Sequence, residues 1–270
     1  MMDLPRLSPL LIEPLVRATL LEDLGLAGDI TSNAVVPSDH RSTMVFSLRQ
    51  PGAIAGLDVA EMAFRLVDPV VAFERMVNDG DFLAAGTTIA RVSGSSRSIL
   101  AAERTALNFL GHMSGVATAT ANLVKAVQGT KAAIVCTRKT MPGLRALQKY
   151  AVRAGGGMNH RFALYDAVLI KDNHIAVAGS VGEAIQRAKA NAGHMVKIEV
   201  EVDTLEQLLE AMAIGVDAVL LDNMSPAQLR EAVKIIDGRA IAEASGGITP
   251  ETVAAVAASG VDLISIGWTT

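Results

Sequence analysis

Seven basic side chains fall between Arg138 and Lys171: Arg138, Lys139, Arg145, Lys149, Arg153, Arg161 and Lys171, with Asp166 as the one acid among them. The chain as a whole carries a formal net charge of −4. Like charges packed this densely cost free energy unless counter-ions or anionic ligands neutralise them. Arg145, Lys149 and Arg153 recur at helical spacing and read as a solvated basic helix face. Arg138-Lys139 and Lys171 do not, because they follow the apolar, strand-like runs AAIVC and AVLI. Cations at the ends of buried strands read as an anion site.

Downstream the pattern repeats. Apolar runs end in Glu201, in Asp222, in Ser245-Gly246-Gly247 and in Gly267. Two carboxylates at strand ends suit a divalent cation or sugar hydroxyls; Glu199, two residues before Glu201, should point to the same side of the strand and stays open as a further candidate. The glycines let backbone N–H groups approach a phosphate, and a helix starting at Thr249 would add its positive end. The loop GGGMNHR (155–161) delivers His160 and Arg161. Three cations facing two acids and a phosphate cradle describe a substrate with several negative groups and a hydroxylated part. A phosphorylated ribose beside a carboxylic acid fits.

The elements that must position these residues follow from the rhythm after residue 132. Apolar runs at 132–136, 167–170, 196–202, 218–221, 240–244 and 263–266 alternate with helical patterns at 142–154, 181–191, 204–214, 225–236 and 249–259. Ser225-Pro226 and Thr249-Pro250 place a capping hydroxyl before an N1 proline, Thr204 caps a third helix, and Gly215 and Gly260 sit where C-caps belong. Alternating strands and helices imply a parallel sheet with crossover helices. All the chemistry-bearing residues lie at C-terminal strand ends and are spread over every strand, which favours a barrel over a doubly wound sheet.

The first hundred residues read as a small α+β sandwich without chemistry of its own. It would hold a helix over 8–21 with Leu11, Leu15, Ala18 and Leu21 on one face, a loop over 22–32, strands at 42–50 and 53–55, a helix over 57–67 and an antiparallel section over 70–96. Residues 98–127 carry the longest helical pattern, with Gly111 and Gly115 predicted to break it in two. We place the domain boundary between 1–110 (sandwich with its linking helix) and 111–270 (barrel). Arg104 reads as solvent decoration on pattern alone.

Composition bounds the rest. Half the residues are hydrophobic, so at this length roughly three-quarters of the unfolded surface can be buried. A pI of about 5.8 argues against a general nucleic-acid binder. With one cysteine, Cys136, neither an internal disulfide nor a cysteine metal cage can form, and a cytoplasmic setting is expected. Nothing at the N-terminus reads as a signal peptide, and no uncharged apolar run reaches membrane-spanning length.

The motifs TRKTMPGLRALQKYAVRAGGGMNHR, DAVLIKDNH, KIEVEV, LLDNMS and EASGGI, with EDLGLAGDITS and ERTALNFL, resemble the quinolinate phosphoribosyltransferase family from about residue 20 to the end. The resemblance implies an N-terminal α/β sandwich and a seven-stranded open α/β barrel. It also implies a homodimer in which one subunit's sandwich covers the other's barrel mouth. The implied reaction joins quinolinate to phosphoribosyl pyrophosphate with Mg²⁺, releasing pyrophosphate and CO₂ and giving nicotinate mononucleotide for NAD synthesis. By the same resemblance Arg138, His160 and Arg161 hold the quinolinate carboxylates, with Arg104 reaching in from the partner subunit. Lys139 and Lys171 contact quinolinate or pyrophosphate, Glu201 and Asp222 bind the ribose hydroxyls and Mg²⁺, and Ser245, Gly246, Gly247 and Gly267 cradle the 5-phosphate.

The chain departs from the family pattern at Trp268, expected to reshape the phosphate cradle, and at Met141, where a threonine is usual. The family pattern also continues a short stretch beyond Thr270. Rival readings are a molybdenum-transport-associated homologue of the same fold, a Schiff-base barrel aldolase using Lys171, and a non-catalytic phosphoribosyl-ligand sensor. The intact TRK, NHR and SGG motifs favour quinolinate.

Overall fold

The computed structural model describes residues 4–270; residues 1–3, the start of the stretch read for a leader, lie outside it. The chain is α/β and divides into two compact units, Met1–Ala121 with Met141–Gly156, and Asn122–Thr140 with Gly157–Thr270.

The first unit opens with helix α1 (Pro9–Leu24) and the short α2 (Ile30–Val35). The buried face of α1 is Ile12, Val16 and Leu20, whereas Leu11 and Leu21 are exposed. The helix is apolar nearly all round, so the sequence offered two stripes and the expected one was wrong. Helix α2 forms inside the stretch read partly as loop because Asp29 caps it, its carboxylate accepting from the Ser32 N–H at 2.9 Å.

Strands β1 (Arg41–Ser47) and β2 (Gly52–Ala53) precede α3 (Leu57–Val67). Strands β3 (Ala72–Arg75), β4 (Phe82–Leu83) and β5 (Thr88–Ser95) follow. They form an antiparallel sheet of order β1-β5-β3 and a separate β2-β4 pair. Phe46, Phe64 and Phe73 pack ring to ring over this sheet, with centroids 5.8–6.4 Å apart.

Helix α4 (Ser96–Ala126) runs unbroken for 31 residues. Gly111 and Gly115 do not interrupt it, since neither takes a positive φ and glycine inside a helix costs only about 1 kcal/mol. Helix α5 (Arg145–Ala154) belongs to this unit too, not to the barrel as a crossover. Its Tyr150 hydroxyl donates to Asp79 at 2.7 Å and its Gln148 amide meets His112 at 3.0 Å. Lys149 is fully buried, so the three α5 cations do not share one solvated face.

The second unit is a parallel α/β sheet that corresponds to an open barrel. Its strands are β6 (Ala133–Val135), β7 (Val168–Ile170), β8 (Ile198–Val202), β9 (Ala218–Asp222), β10 (Ile241–Ser245) and β11 (Leu263–Ser265), in the order β6-β11-β10-β9-β8-β7. A parallel bridge, Val135↔Met158, adds one more short segment outside β6. Helices α6 (Asp172–Ala178), α7 (Val181–Asn191), α8 (Leu205–Ile214), α9 (Pro226–Ile236) and α10 (Val253–Ala257) connect the strands. Thr204 and Ser225 cap α8 and α9 as expected. Helix α6 was not anticipated; it starts on the residue after Lys171, whose N–H donates to His174 Nδ1 at 2.9 Å. The turn at Thr249 becomes regular helix only at Val253 and spans five residues, too short for the macrodipole expected there. Val200, Val219, Leu221, Ala244 and Ile264 form the centre of the core.

Candidate active site

Contacts link the C-terminal ends of the strands in the second unit into a near-continuous ring. Lys171, after β7, pairs with Glu201 of β8, Nζ to Oε2, at 2.5 Å. After β9, the Asn223 amide donates to Asp222 at 2.7 Å and its backbone N–H donates to the Ser245 carbonyl of β10 at 3.0 Å. Past Gly246 and Gly247, the Ile248 carbonyl accepts from the Trp268 indole N–H after β11 at 3.0 Å. A Cβ on Gly267 would lie 3.0 Å from the Lys139 side chain after β6. The parallel bridge at Met158 then carries the chain to His160 and Arg161 at the same end.

The loops owe their shapes to particular residues. Gly246 has φ +91°, and a Cβ there would stand 2.1 Å from Asn223 Oδ1, so only glycine fits. Asn223 itself has φ +53°, a left-handed conformation that asparagine tolerates better than most residues. Asp166, the lone acid of the basic stretch, accepts from the backbone N–H groups of Phe162 and Ala163 at 2.5 and 2.8 Å. It folds the loop that begins at Arg161. Arg161 Nη1 donates to the Ala167 carbonyl at 3.1 Å.

Beneath this rim lies a second polar layer. His160 Nε2 is 2.8 Å from Glu199 Oε2 and 3.7 Å from Glu243 Oε1. The backbone N–H of Arg161 donates to His160 Nδ1 at 2.7 Å. A ring nitrogen that accepts carries no proton, so Nδ1 is bare and Nε2–H donates to Glu199. Burial, and then the neighbouring Glu199 charge, push the Glu243 carboxyl up to about 7. The Arg161 guanidinium is held below its ordinary value, chiefly by desolvation and then by the nearby Arg138 charge. The half-buried Arg138 Nε has no hydrogen-bond partner. Two neighbouring guanidiniums in a partly dehydrated pocket are chemically suited to carboxylates, which accept bidentate, charge-assisted bonds.

All the expected barrel residues, Arg138, Lys139, His160, Arg161, Lys171, Glu201, Asp222, Ser245, Gly246, Gly247 and Gly267, fall at this one end. Arg104 is exposed on α4 in the first unit. Trp268 does not collapse the glycine loops, since its ring is half exposed and its N–H ties one loop to the next. Cys136 is buried, as its strand pattern implied. Sequence reasoning missed Asn223 and Glu243. Asn223 directly follows a strand-end acid, and Glu243 is an acid in the middle of an apolar run; both were signals.

The descriptions "Quinolinate phosphoribosyl transferase, N-terminal domain" and "Quinolinate phosphoribosyl transferase, C-terminal domain" match residues 29–114 and 116–270. A probable nicotinate-nucleotide pyrophosphorylase [carboxylating] of Bacillus subtilis is 42% identical, over 98% of this chain and 91% of its own. The nicotinate-nucleotide pyrophosphorylase [carboxylating] of Mycobacterium leprae is 47% identical over 93% and 90%. The crystal structure of NadC from Streptococcus pyogenes superposes with a TM-score of 0.95 at 41% identity, covering 98% of this chain and 94% of that one.

Proposed function

The chain belongs to the quinolinate phosphoribosyltransferase family, and from that premise we propose how its barrel mouth carries out the family's reaction. It is a nicotinate-nucleotide pyrophosphorylase: phosphoribosyl pyrophosphate and quinolinate give nicotinate mononucleotide, pyrophosphate and CO₂, a step in NAD biosynthesis. One observation carries the assignment of roles: paired arginines, strand-end acids and a glycine cradle sit on a single ring at one end of one sheet.

Arg138 and Arg161 take the two carboxylates of quinolinate, with His160 beside them. Ser245, Gly246, Gly247 and Gly267 take the 5-phosphate through backbone N–H groups. Glu201 and Asp222 take the ribose hydroxyls. The quinolinate nitrogen then faces C1 of the ribose and attacks as the bond to pyrophosphate breaks, through a transition state of oxocarbenium character. Lys139 and Lys171 stand where charge builds on the leaving group. The resulting pyridinium accepts the electron pair left when the adjacent carboxylate departs as CO₂, and a proton from water then takes that carbon. No nucleophilic side chain is needed.

Mg²⁺ suits the donor set, because Glu201 and Asp222 are hard oxygen ligands at neighbouring strand ends. Bound there it would neutralise charge on the leaving pyrophosphate. Lys171 is 45% exposed and ion-paired with Glu201, a setting unlike the apolar pocket of an imine-forming lysine. The working unit is a homodimer in which Arg104 of one subunit completes the other's carboxylate pocket. Among the described residues no helix is long and apolar enough to cross a membrane, and we place the enzyme in the cytoplasm.

The test is release of CO₂ and pyrophosphate from quinolinate and phosphoribosyl pyrophosphate with Mg²⁺, compared with nicotinate as acceptor. Stoichiometric release of both from quinolinate alone is expected. A protein that turns over nicotinate equally well, or neither acid, would refute the proposal.

A further inference from the structure

Glu243 has no part in the reaction above, yet its side chain is only 2% exposed inside the barrel. Its Oε1 accepts no hydrogen bond, and neither does Oε1 of Glu199. Buried carboxylates left partly unpaired are costly and call for a reason. Glu199 lies two residues before Glu201 on β8, and Glu243 two before Ser245 on β10. Side chains from alternate barrel strands meet in one layer, so these acids form the layer directly beneath the mouth. His160 is the group they share.

His160 and Arg161 follow three consecutive glycines, Gly155–Gly157, a sequence with little rigidity of its own. The bridge at Met158 pins the main chain just after the glycines, and the side chains beyond it need a support of their own. Both ring nitrogens of His160 are engaged within the protein: Nε2 with Glu199 at 2.8 Å and Glu243 at 3.7 Å, and Nδ1 with the Arg161 backbone N–H at 2.7 Å.

We infer that Glu199 and Glu243 are positioning residues that clamp the His160 ring and, through its Nδ1, set the main chain at Arg161, so that Arg161 and Arg138 stand together to receive a dicarboxylate. His160 on this view is the link between the strands and the arginine, and not chiefly a substrate ligand. The inference rests on the quinolinate reading for the identity of the diacid. The same three groups have donor atoms within 4.8 Å of one another, so a metal ion seated on them is the outcome that must be distinguished.

The experiment compares full-length wild type, Glu243→Leu and Glu243→Gln in steady state, with quinolinate and phosphoribosyl pyrophosphate varied separately. Glu243→Leu removes one of the two carboxyl groups flanking His160 Nε2, the one at 3.7 Å, and should raise KM for quinolinate about five-fold or more. KM for phosphoribosyl pyrophosphate should stay within about two-fold. Glu243→Gln keeps shape and polar oxygen and should recover most of the quinolinate affinity. Equal losses in Leu and Gln variants, or both KM values moving together, would overturn the inference.

Should the Leu variant not fold, the imidazole ¹⁵N spectrum of wild type at neutral pH decides, with the His160 signals assigned by their loss in His160→Gln. A neutral Nε2–H tautomer is expected. An Nδ1–H tautomer, or stoichiometric Zn²⁺ binding that shifts these signals, would overturn it. This readout needs no turnover. A wild type that fails on quinolinate yet shows the Nε2–H tautomer sinks the functional reading and leaves the clamp standing.

Discussion

Replacing Glu243 by glutamine should make the protein more stable, and increasingly so as the pH rises. The Glu243 carboxyl is raised from 4.5 to about 7 by burial first and by the Glu199 charge second. The folded state therefore prefers it protonated. An acid whose folded pKa lies above its unfolded value contributes most below the unfolded value, and that contribution is lost as pH climbs through the folded one. The window is thus pH 4.5 to about 7. Two to three units at about 1.4 kcal/mol each amount to roughly 3 kcal/mol lost by the wild type across it. Glutamine is the isostere of the protonated acid and has no such loss. Thermal unfolding of both proteins from pH 5 to 8, followed by a probe of the barrel unit, should show the difference in Tm widening by roughly 5–10 °C. Taking the difference cancels the groups that titrate alike in both. A difference that stays flat from pH 5 to 8 would mean that Glu243 ionises freely in the folded protein, and the account of a dehydrated acidic layer would be wrong.

Gly246→Ala must leave φ +91° or push its Cβ into Asn223 Oδ1; affinity for phosphoribosyl pyrophosphate should fall at least about ten-fold, with about 1–3 kcal/mol of strain readable by denaturation. Asn223→Gly and Asn223→Ala both remove the amide that holds Asp222 at 2.7 Å, and both should lower kcat about ten-fold. Only the alanine should also lose about 1 kcal/mol of stability, because of φ +53°; equal stabilities would contradict this. Arg104→Ala and Lys171→Ala proteins, each expected to be inactive, should regain part of the activity when co-refolded if the proposed dimer shares its sites, since one mixed site per dimer would keep both residues. No recovery would count against shared sites.

The strands of the barrel were legible because parallel strands are buried on both faces and appear as unbroken apolar runs. All six runs lie within two residues of the observed strands. Partnership was less legible than period. Residues 142–154 do form a helix, but whether its apolar face meets a barrel or the first unit depends on Asp79 and His112, which are 71 and 36 residues away from their partners. Helix α1 shows the same limit on one element: Ile12-Val16-Leu20 and Leu11-Leu15-Leu21 are comparable stripes, and only the packing chooses. Glycine misled in the opposite sense at Gly111 and Gly115, where about 1 kcal/mol per residue was too little to break a helix anchored at both ends.

The site divides along the same line. Lys171, Glu201 and Asp222 announced themselves because a charge that terminates a buried run has one place to go, the rim where the strand emerges. Glu243 stands inside its run, IAEAS, with apolar neighbours on both sides, and along the chain nothing offers it a partner. Its neighbours are Glu199 from β8, two strands across, Ser265 from β11 beside it, and His160 from a loop after a triple glycine. A charged residue within a fully buried strand is rarely tolerated without such partners, so its presence there already required a polar layer inside the barrel. The rim residues say where a substrate can sit. The acid within the strand indicates that the floor beneath it is built to hold something in place, and His160, gripped at both ring nitrogens, is what it holds.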